Sequence, residues 1–409
     1  MTSVLSTTCC IAGGGPAGMM LGLLLARAGV AVIVLEKHTD FLRDFRGDTI
    51  HPSTLAVMHD LGLLDRFLKL PHQRVERLDA DVYGQRVTIA DFRHLRTPCP
   101  YIALMPQWDF LDFLAEEARA WPNFRLLMGT RADAVIERDG AVVGVRASSG
   151  EQDIEITAQL VVAADGRHST LRDRAGLPAD DLGAPIDVLW FRLPRDAAQD
   201  VEQTGGYVRA GVFLVTINRG SYWQCGYVIA KGGNDALRAE GLDALKARIA
   251  DAAPFLKPAL QTLRSWDDLS LLSVQVNRLR QWQRDGLLCI GDAAHAMSPV
   301  GGVGINLAVQ DAVAGANLLG DVLRQRRPDV HDLARVQRRR AWPTRVTQAL
   351  QIAIQNTVLA PALAAPADTA THKLPLALQL LRRMPLLSRV PARVIGIGVR
   401  PERVRSAAK

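Results

Sequence analysis

The sequence lacks the long apolar runs and special residue patterns that mark several classes of protein. None of its apolar stretches reaches the roughly eighteen to twenty residues of a membrane-spanning helix. Residues 1–8 also lack the charged start and apolar stretch of a signal peptide. We therefore expect a cytoplasmic protein. Aromatic residues make up only 5% of the chain and no known nucleic-acid reader motif occurs, so we expect no nucleic-acid partner.

Cysteine is scarce, and its arrangement excludes two further classes. The five cysteines are an odd number, which argues against a disulfide framework. No two of them are separated by two residues, which makes a redox-active pair of a thiol-disulfide oxidoreductase improbable. The histidines are scattered without the spacing of metal ligands, so we expect no metal site.

Length and charge describe a globular protein with a basic C-terminal part. With 409 residues and 48% hydrophobic content, the chain can bury a large core in about two or three domains. The formal net charge is +7, and nine basic residues and one acidic residue follow residue 372. This part is also rich in leucine. We expect a helical layer packed on the main body with solvated arginines, and weak attachment to anionic lipid is the alternative.

A glycine-rich segment near the start has the pattern of a dinucleotide-binding turn. Residues 9–12 predict a strand, and the segment that follows opens a helix whose apolar residues share one face. Residues 31–35 predict a second strand, which ends at Glu36 about twenty residues after the glycines. The segment reads Gly13, Gly14, Gly15, Pro16, Ala17, Gly18.

Each glycine of the turn has an expected role. Gly13 permits the tight turn, Gly15 lets the backbone approach a pyrophosphate, and Gly18 lets the helix pack close to the strand. Glu36 would bind ribose hydroxyls of an adenosine. A glycine-rich turn without a ligand is the alternative, but the complete βαβ unit disfavours it.

Two later segments repeat the arrangement of a strand followed by a polar turn. Asp165 and Gly166 follow an apolar run at 160–164, and the segment 291–295 follows another at 286–290. The three segments together predict one FAD site in a flavoprotein. Asp292 would accept hydrogen bonds from the ribityl chain, and His295 is either a packing histidine or a proton shuttle.

The order of these segments predicts an α/β protein with interleaved domains. A Rossmann-type FAD-binding domain would comprise residues 1–75, 100–180 and 275–345, and a helical basic segment would comprise 346–409. An antiparallel β-sheet substrate-binding domain would comprise 76–99 and 181–274, with residues 236–263 helical.

The third segment carries a family resemblance. Residues 291–295, followed by Pro299, Gly302, Gly304 and Asn306, resemble the second flavin motif of the single-component FAD-dependent aromatic hydroxylases, typified by p-hydroxybenzoate hydroxylase. Asp165 and Gly166, with Ser169 and Arg172, resemble the middle motif of the same family. The resemblance extends over roughly residues 8–345.

The motifs and the resemblance together imply a set of cofactor contacts. Arg46 would pair with pyrophosphate oxygens or lie over the flavin ring system. The helix that begins near Gly304 would direct its N-terminal partial charge at the pyrimidine edge of the flavin. The expected contacts are Gly13, Gly15, Pro16, Ala17, Gly18, Glu36, Lys37, Arg46, Gln107, Asp165, Asp292, Pro299, Gly304, Ile305 and Asn306.

The resemblance also implies a reaction. NADPH or NADH would dock transiently near Asp165, Arg167 and Arg172 and reduce the flavin, because the sequence has no second glycine fingerprint for a nicotinamide domain of its own. Reduced flavin and O2 would form a flavin hydroperoxide that hydroxylates an aromatic substrate.

The residues that assist the substrate are less defined. Asp48, His51 and Tyr222 are the candidates for catalysis, and Tyr207 and Trp223 are candidates for the pocket wall. A pocket formed by Val212, Phe213, Ile217 and Tyr222 would suit a large apolar aromatic, such as a polyketide, quinolone or quinone precursor, better than a benzoate.

Other functions on the same scaffold remain as alternatives. A reductase of prenyl or polyene double bonds and a non-catalytic FAD-binding regulator are both compatible with the motifs. A flavin-dependent halogenase is disfavoured because the W-x-W-x-I-P segment is missing. We expect a monomer or a homodimer.

Overall fold

A mostly parallel sheet and a mostly antiparallel sheet form the framework of the protein. The computed structural model describes residues 3–42, 49–196, 204–365 and 374–405. The strands are β1 (Ser3–Ala12), β2 (Val32–Leu35), β3 (Thr49–Ile50), β4 (Gln73–Val75), β5 (Arg77–Val82), β6 (Gln85–Asp91), β7 (Ile102–Leu104), β8 (Phe124–Leu127), β9 (Arg131–Arg138), β10 (Ala141–Ser149), β11 (Gln152–Ala163), β12 (Ala179–Asp181), β13 (Ile186–Pro194), β14 (Gly205–Arg209), β15 (Val212–Asn218), β16 (Tyr222–Ala230), β17 (Ser270–Leu272), β18 (Asn277–Leu279), β19 (Gln283–Arg284) and β20 (Leu287–Cys289).

Helices cover both sheets. Every helix within the described ranges is too short or too polar to span a bilayer. The α-helices are α1 (Pro16–Arg27), α2 (Pro52–Asp60), α3 (Leu64–Phe67), α4 (Gln107–Arg119), α5 (Thr170–Arg174), α6 (Asn234–Glu240), α7 (Leu242–Ala252), α8 (Gly304–Gln325), α9 (Val330–Ile354), α10 (Ala360–Ala364), α11 (Leu376–Arg383) and α12 (Arg389–Gly396).

The first sheet has the strand order β19-β20-β11-β1-β2-β8, and its central strands run parallel. Residues 9–12 and 160–163 are buried on both faces of the sheet, which explains why both segments are continuous apolar runs. β9 and β10 form a hairpin beside β11. The predicted α/β class with a Rossmann-type domain is confirmed.

The first crossover shows how local sequence builds the sheet. Pro16 occupies the first turn of α1, where its missing N–H costs no helical hydrogen bond. Gly29 follows the end of the helix with φ +81°, a conformation that favours glycine. A methyl group on Gly22 would lie 2.9 Å from both Phe124 and Val34, so glycine lets α1 pack against β2 and β8.

The second sheet has the order β17-β13-β16-β15-β14-β5-β6. Its strands are antiparallel except for β14 and β5, which pair in parallel between residues 205–208 and 79–82. One face packs on α7 through Trp223, Tyr227 and Leu245. The other face contacts Val300, in the loop that precedes α8. The division of the chain into domains at the limits given above stays a prediction.

The prediction that residues 236–263 are helical agrees with the structure, in which the helical residues are divided into separate pieces. α6 and α7 are separated by Gly241 at φ +94°, a backbone conformation that an α-helix cannot contain. Pro254 then follows α7 and starts a short 3₁₀ turn. Both interruptions were visible in the sequence as helix-breaking residues.

The carboxylate of Asp187 joins three parts of the second sheet. It accepts hydrogen bonds from the ammonium of Lys231 at 2.8 Å and from the backbone N–H groups of Gly232 and Val274 at 3.0 and 2.9 Å. Burial opposes ionisation of Asp187, but these bonds and the charge of Lys231 outweigh it and lower its pKa.

We expect Asp187→Asn to lower the free energy of unfolding by about 2 kcal/mol, because a neutral amide replaces charge-assisted hydrogen bonds at a buried position. Chemical denaturation of the two proteins measures the difference. Asp251→Asn, on the exposed side of α7, is the matched control and should unfold like the wild type. Equal stability of Asp187→Asn and wild type would show that the contact adds nothing.

Candidate active site

The carboxyl ends of four parallel strands meet at one edge of the first sheet. Leu35, Ala12, Ala163 and Cys289 stand in register across β2, β1, β11 and β20. Neighbouring strands lie about 4.8 Å apart, so this row spans roughly 15 Å. Each of the three sequence motifs follows one of these strand ends. The fold therefore brings segments almost three hundred residues apart to one edge.

Close contacts join the three motifs in pairs. Gly13 has φ +106°, and a methyl group there would lie 2.3 Å from the carbonyl oxygen of Ala164. The corresponding methyl on Gly291 would lie 3.0 Å from Cβ of Ala17. Arg172 donates to the carbonyl oxygen of Ala293 at 3.5 Å. Only small residues allow the motifs to approach this closely.

Gly15 and Gly18 are required for different reasons. A methyl group on Gly18 would lie 1.9 Å from the carbonyl oxygen of Gly13, so packing of α1 against the turn demands glycine. A methyl group on Gly15 would contact no atom of the described chain, and its φ of −73° suits any residue. Packing therefore does not explain Gly15. The predicted approach of a pyrophosphate to the start of α1, where Pro16 and Ala17 begin the helix, would explain it.

Glu36 closes the turn from the next strand. Its carboxylate accepts from the backbone N–H of Gly14 at 3.0 Å and from that of His38 at 3.1 Å. These bonds fix the carboxylate at the strand end, where the motif places an adenosine ribose. Lys37 follows with an exposed side chain.

The middle motif is held by Asp165. Its carboxylate accepts from the hydroxyl of Ser169 and from the backbone N–H of Leu171, the latter at 3.3 Å. Burial raises the pKa of Asp165, and these hydrogen bonds only partly offset that effect. Ser169 also caps α5 by accepting from the backbone N–H of Arg172 at 3.1 Å. Asp165 therefore organises the turn that brings Arg167 to the third motif.

Asp292 is the half-buried acid of the third motif. Its carboxylate lies 3.7 Å from the guanidinium of Arg167. Both side chains keep partial solvent exposure, so their polar atoms remain accessible at the edge of the sheet. This position agrees with a contact to a polar chain of a bound cofactor.

The loop before α8 lies against β3. Gly302 has φ +63°, and the hydroxyl of Thr49 donates to its carbonyl oxygen at 2.8 Å. A methyl group on Gly304, the first residue of α8, would meet no atom of the described chain. Pro299 is half-buried, and Ile305 is buried in the main core.

The side chain of Asn306 binds helix α2. Its amide oxygen accepts from the hydroxyls of Ser53 and Thr54 at 2.5 and 2.9 Å. These bonds fix the start of α8 against α2. Its predicted role in cofactor binding remains a prediction, and the geometry assigns its amide oxygen to the protein itself.

His51 connects the loop to the C-terminal part of the chain. Its ring is buried, with Nδ1 2.8 Å from the carbonyl oxygen of Ile395 and Nε2 3.1 Å from that of Gly302. Burial lowers the pKa of His51 to about 4, although both hydrogen bonds favour the charged form. A catalytic proton transfer by His51 would first require one of these contacts to break.

The remaining predicted residues are scattered around this region. Gln107 is half-buried at the start of α4, and Tyr222 is half-buried on β16 with the guanidinium of Arg192 5.1 Å from its ring. Arg46 and Asp48 lie outside the described residues. Tyr207 and Trp223 pack against Phe255 on the opposite face of the second sheet, so the interpretation that they line a pocket is corrected.

A buried ionic cluster beneath the third motif was not expected from the sequence. Asp311 of α8 accepts from the backbone N–H of Gly291 at 3.1 Å, from Nε2 of His295 at 2.6 Å and from Arg340 at 3.0 Å. Arg340 also lies 3.5 Å from the carboxylate of Glu402, which forms a bidentate pair with Arg339. His295 is thus a hydrogen-bonded core residue. An acid on the apolar face of α8 was the signal that could have found the cluster.

Charge pairing decides the ionisation of Asp311. Burial opposes the charged form, but the charges and hydrogen bonds of His295 and Arg340 outweigh it and lower the pKa of Asp311. The carboxylate is therefore ionised in the folded protein at neutral pH.

The site fits an FAD molecule by the chemistry of its residues. The open backbone at Gly15, the start of α1, the fixed carboxylate of Glu36, and Asp292 supply the donors and acceptors that a pyrophosphate, a ribose and a ribityl chain require. The chain belongs to the family described as FAD binding domain, which matches residues 6–349. The predicted resemblance to FAD-dependent aromatic hydroxylases is confirmed.

Named relatives are monooxygenases. A 6-methylpretetramide 4-monooxygenase of Streptomyces rimosus is 37% identical over 324 residues, covering 78% of this chain and 77% of the relative. A rifampicin monooxygenase of Streptomyces venezuelae is 30% identical, covering 74% of this chain and 61% of the relative. The solved p-nitrophenol 4-monooxygenase of Pseudomonas putida shares the fold, with a TM-score of 0.75 at 21% identity over 95% of this chain and 97% of that chain. This protein is a flavoprotein monooxygenase by family.

Gly15→Ala should separate cofactor binding from folding. The apoprotein should unfold near the wild-type temperature, because the added methyl meets no atom of the described residues. FAD affinity, measured by fluorescence titration, should fall on the order of tenfold or more, because the methyl would stand where the pyrophosphate approaches. Gly18→Ala is the contrasting variant and should also lose stability. Wild-type FAD affinity in Gly15→Ala would remove the pyrophosphate assignment.

Asp311→Asn should destabilise the whole site. We expect a loss of about 3 kcal/mol in unfolding free energy at neutral pH, because Arg340 keeps its charge in the core without its nearest carboxylate. The pKa of Asp311 is lowered in the folded state, so its contribution is present above the unfolded value of about 3.9 and is lost as the pH falls through the lower folded value.

Denaturation curves at several pH values measure this effect. The exposed Asp321→Asn on the same helix is the control and should leave the curves unchanged. A stable Asp311→Asn variant with unchanged acid sensitivity would contradict the role of the cluster.

Proposed function

We propose that this protein uses NADPH or NADH and O2 to hydroxylate a large, apolar, polycyclic aromatic substrate at the edge of the first sheet. The observation that carries this proposal is the apolar face of the second sheet beside the loop before α8. A bound FAD supplies hydride acceptance and oxygen activation. The protein then has to bind the substrate, orient it and exclude water.

The candidate substrate wall is built from alternating residues of neighbouring strands. Val188 and Trp190 of β13 lie on the face that contacts Val300, and Val215 and Ile217 of β15 pack near Trp190 on the same side. A methyl group on Gly226 would lie 3.1 Å from the ring of Trp190. Glycine at this position therefore leaves the space in which the indole packs against the sheet. Val188 and Ile217 are buried against Leu359 and Ala392, whereas Trp190, Phe213 and Val215 are half-buried on this face. These half-buried side chains are apolar, which suits fused rings better than a small carboxylate.

Trp190 supplies a polar group within this wall. Its Nε1 is buried and has no hydrogen-bond partner within the described ranges. An unpaired buried N–H is unfavourable, and a substrate oxygen in the pocket would satisfy it. Of the pocket residues predicted from sequence, Phe213 lies in the same apolar cluster as Val300, and Tyr222 lies further along β16. Val212 packs with Trp223 in the cluster on the opposite face, so its assignment to the pocket is corrected.

Charge at the sheet edge supports the remaining steps. The N-terminus of α8 at Gly304 carries a partial positive charge of about +0.5, which favours negative charge on a neighbouring group. Arg167 is partly exposed beside Asp292 and is the basic group that we assign to transient docking of the phosphates of NADPH or NADH. Arg46 and Asp48 keep their proposed roles in cofactor and substrate contact.

The names of the relatives support a polycyclic substrate. One relative acts on 6-methylpretetramide and another on rifampicin, as their names state. Reduction of prenyl or polyene double bonds is not favoured, because the named relatives are monooxygenases.

Purified FAD-loaded protein should oxidise NADPH or NADH faster when a tetracyclic phenol is added. The product should gain one oxygen atom, and isotopically labelled O2 should supply it, as mass spectrometry can measure. p-Hydroxybenzoate and p-nitrophenol are the small-ring controls and should stimulate oxidation little, because they leave the apolar wall uncovered. Stimulation by the small phenols alone would contradict the proposed substrate class, and anaerobic turnover would contradict the oxygenase reaction.

A further inference from the structure

The C-terminal part of the chain exposes a dense group of large apolar side chains. Half of the exposed large hydrophobic residues in the described parts of the chain fall within residues 376–390. Isolated apolar residues are common on protein surfaces, but a contiguous group marks a contact site. The group comprises Leu376, Leu380, Met384, Leu386, Leu387 and Val390, with exposed fractions from 36% to 77%.

This exposed group is not needed to hold α11 and α12 on the protein. Leu374, Leu378 and Leu381 pack in an apolar cluster with Val82 and Val87. Ala392 and Ile395 pack in another cluster that includes Phe92. Both helices are thus anchored through one side, and the residues of the exposed group extend from the other.

Basic residues surround the exposed group. Arg382, Arg383, Arg389 and Arg393 lie in or beside it, and the sequence has no acidic residue between 374 and 401. Within the described ranges no ion pair involves Arg96, Arg389 or Arg393. These three arginines line a cleft of about 430 Å³ together with His94, Leu95 and Ile397.

The cleft is suited to an anion beside an apolar layer. Its arginines come from α12 and from the loop after β6, so two separate parts of the chain direct positive charge into one space. Val390 directly follows Arg389, Leu387 precedes it by two residues, and both are exposed. A surface that combines exposed leucines with arginines that have no ion pair among the described residues matches the boundary between phosphate headgroups and acyl chains.

We propose that residues 376–397 with Arg96 form a docking surface for an anionic phospholipid bilayer. The arginines of the cleft contact headgroup phosphates, and the exposed leucines enter the interfacial region. A second copy of the chain is a poorer occupant, because a twofold contact through this surface would oppose arginines to arginines. A nucleic acid offers phosphates but no apolar layer for the six exposed side chains.

Vesicle co-sedimentation of the full-length, FAD-loaded protein tests the proposal. The protein should bind vesicles of phosphatidylcholine mixed with phosphatidylglycerol and should stay in solution with phosphatidylcholine alone. Added salt should weaken the binding, because it screens the arginines. Absence of binding to the anionic vesicles, or equal binding to both compositions, would overturn the proposal.

Two variants locate the binding on this surface. Arg389→Gln with Arg393→Gln should reduce partitioning onto anionic vesicles by about 25-fold, or about fivefold for each charge removed. Leu386→Ser with Leu387→Ser should reduce it on the order of tenfold. The double variant Arg125→Gln with Lys257→Gln removes the same charge from other exposed positions and should bind within about twofold of the wild type.

Further measurements separate the outcomes from misfolding and self-association. Bound FAD and the unfolding temperature should match the wild type in all three variants, because the substituted side chains are exposed. Light scattering after size exclusion gives the oligomeric state. A dimer that dissociates when Leu386 and Leu387 are replaced, or a charge variant that binds like the Arg125 control, would overturn the assignment to lipid. The assay needs no substrate, so its result is independent of the proposed reaction.

Discussion

A single buried carboxylate fixes the relation between the cofactor motifs and the helices behind them. Asp311 binds the backbone at Gly291, the ring of His295 and the guanidinium of Arg340. An isolated charge in this position would be strongly unfavourable, so the three partners have to be present together. Loss of any one of these contacts should therefore destabilise the third motif, α8 and α9 together. Glu402 extends the same cluster to the end of the described chain through Arg339.

The C-terminal part of the chain contributes to the site although it lies far from the motifs in sequence. The carbonyl oxygen of Ile395 contacts His51, whose other ring nitrogen faces Gly302 in the loop before α8. Gly396 approaches Pro52 and Phe92 closely enough that a methyl group would lie within 3.2 Å of either. The helical layer thus supports the loop from behind. A change in the position of α12 would therefore reach that loop through the contacts of His51.

The sequence was sufficient for the parts of the fold that depend on local pattern. Gly13, Gly18 and Glu36 predicted a βαβ unit, and the apolar run at 160–164 predicted the next parallel strand, because both patterns are properties of neighbouring residues. The ionic cluster depends instead on residues 91 positions apart, from Asp311 to Glu402, and no local pattern pairs them. The same limit explains why Tyr207 and Trp223 were wrongly assigned to the pocket wall. Alternation shows that a strand has two faces but does not show which face meets the flavin motifs.

The parallel pairing of β5 with β14 has a consequence for the exchange of parts between related enzymes. The second sheet takes its last two strands from residues 77–91 and the others from residues 186–272. A chimaera that imports only the later segment would place a foreign β14 against a native β5, with a register set for a different partner. Such hybrids should carry both segments from one parent. Recombination within this fold is therefore constrained to paired crossovers, because the second sheet does not come from one contiguous segment of the chain.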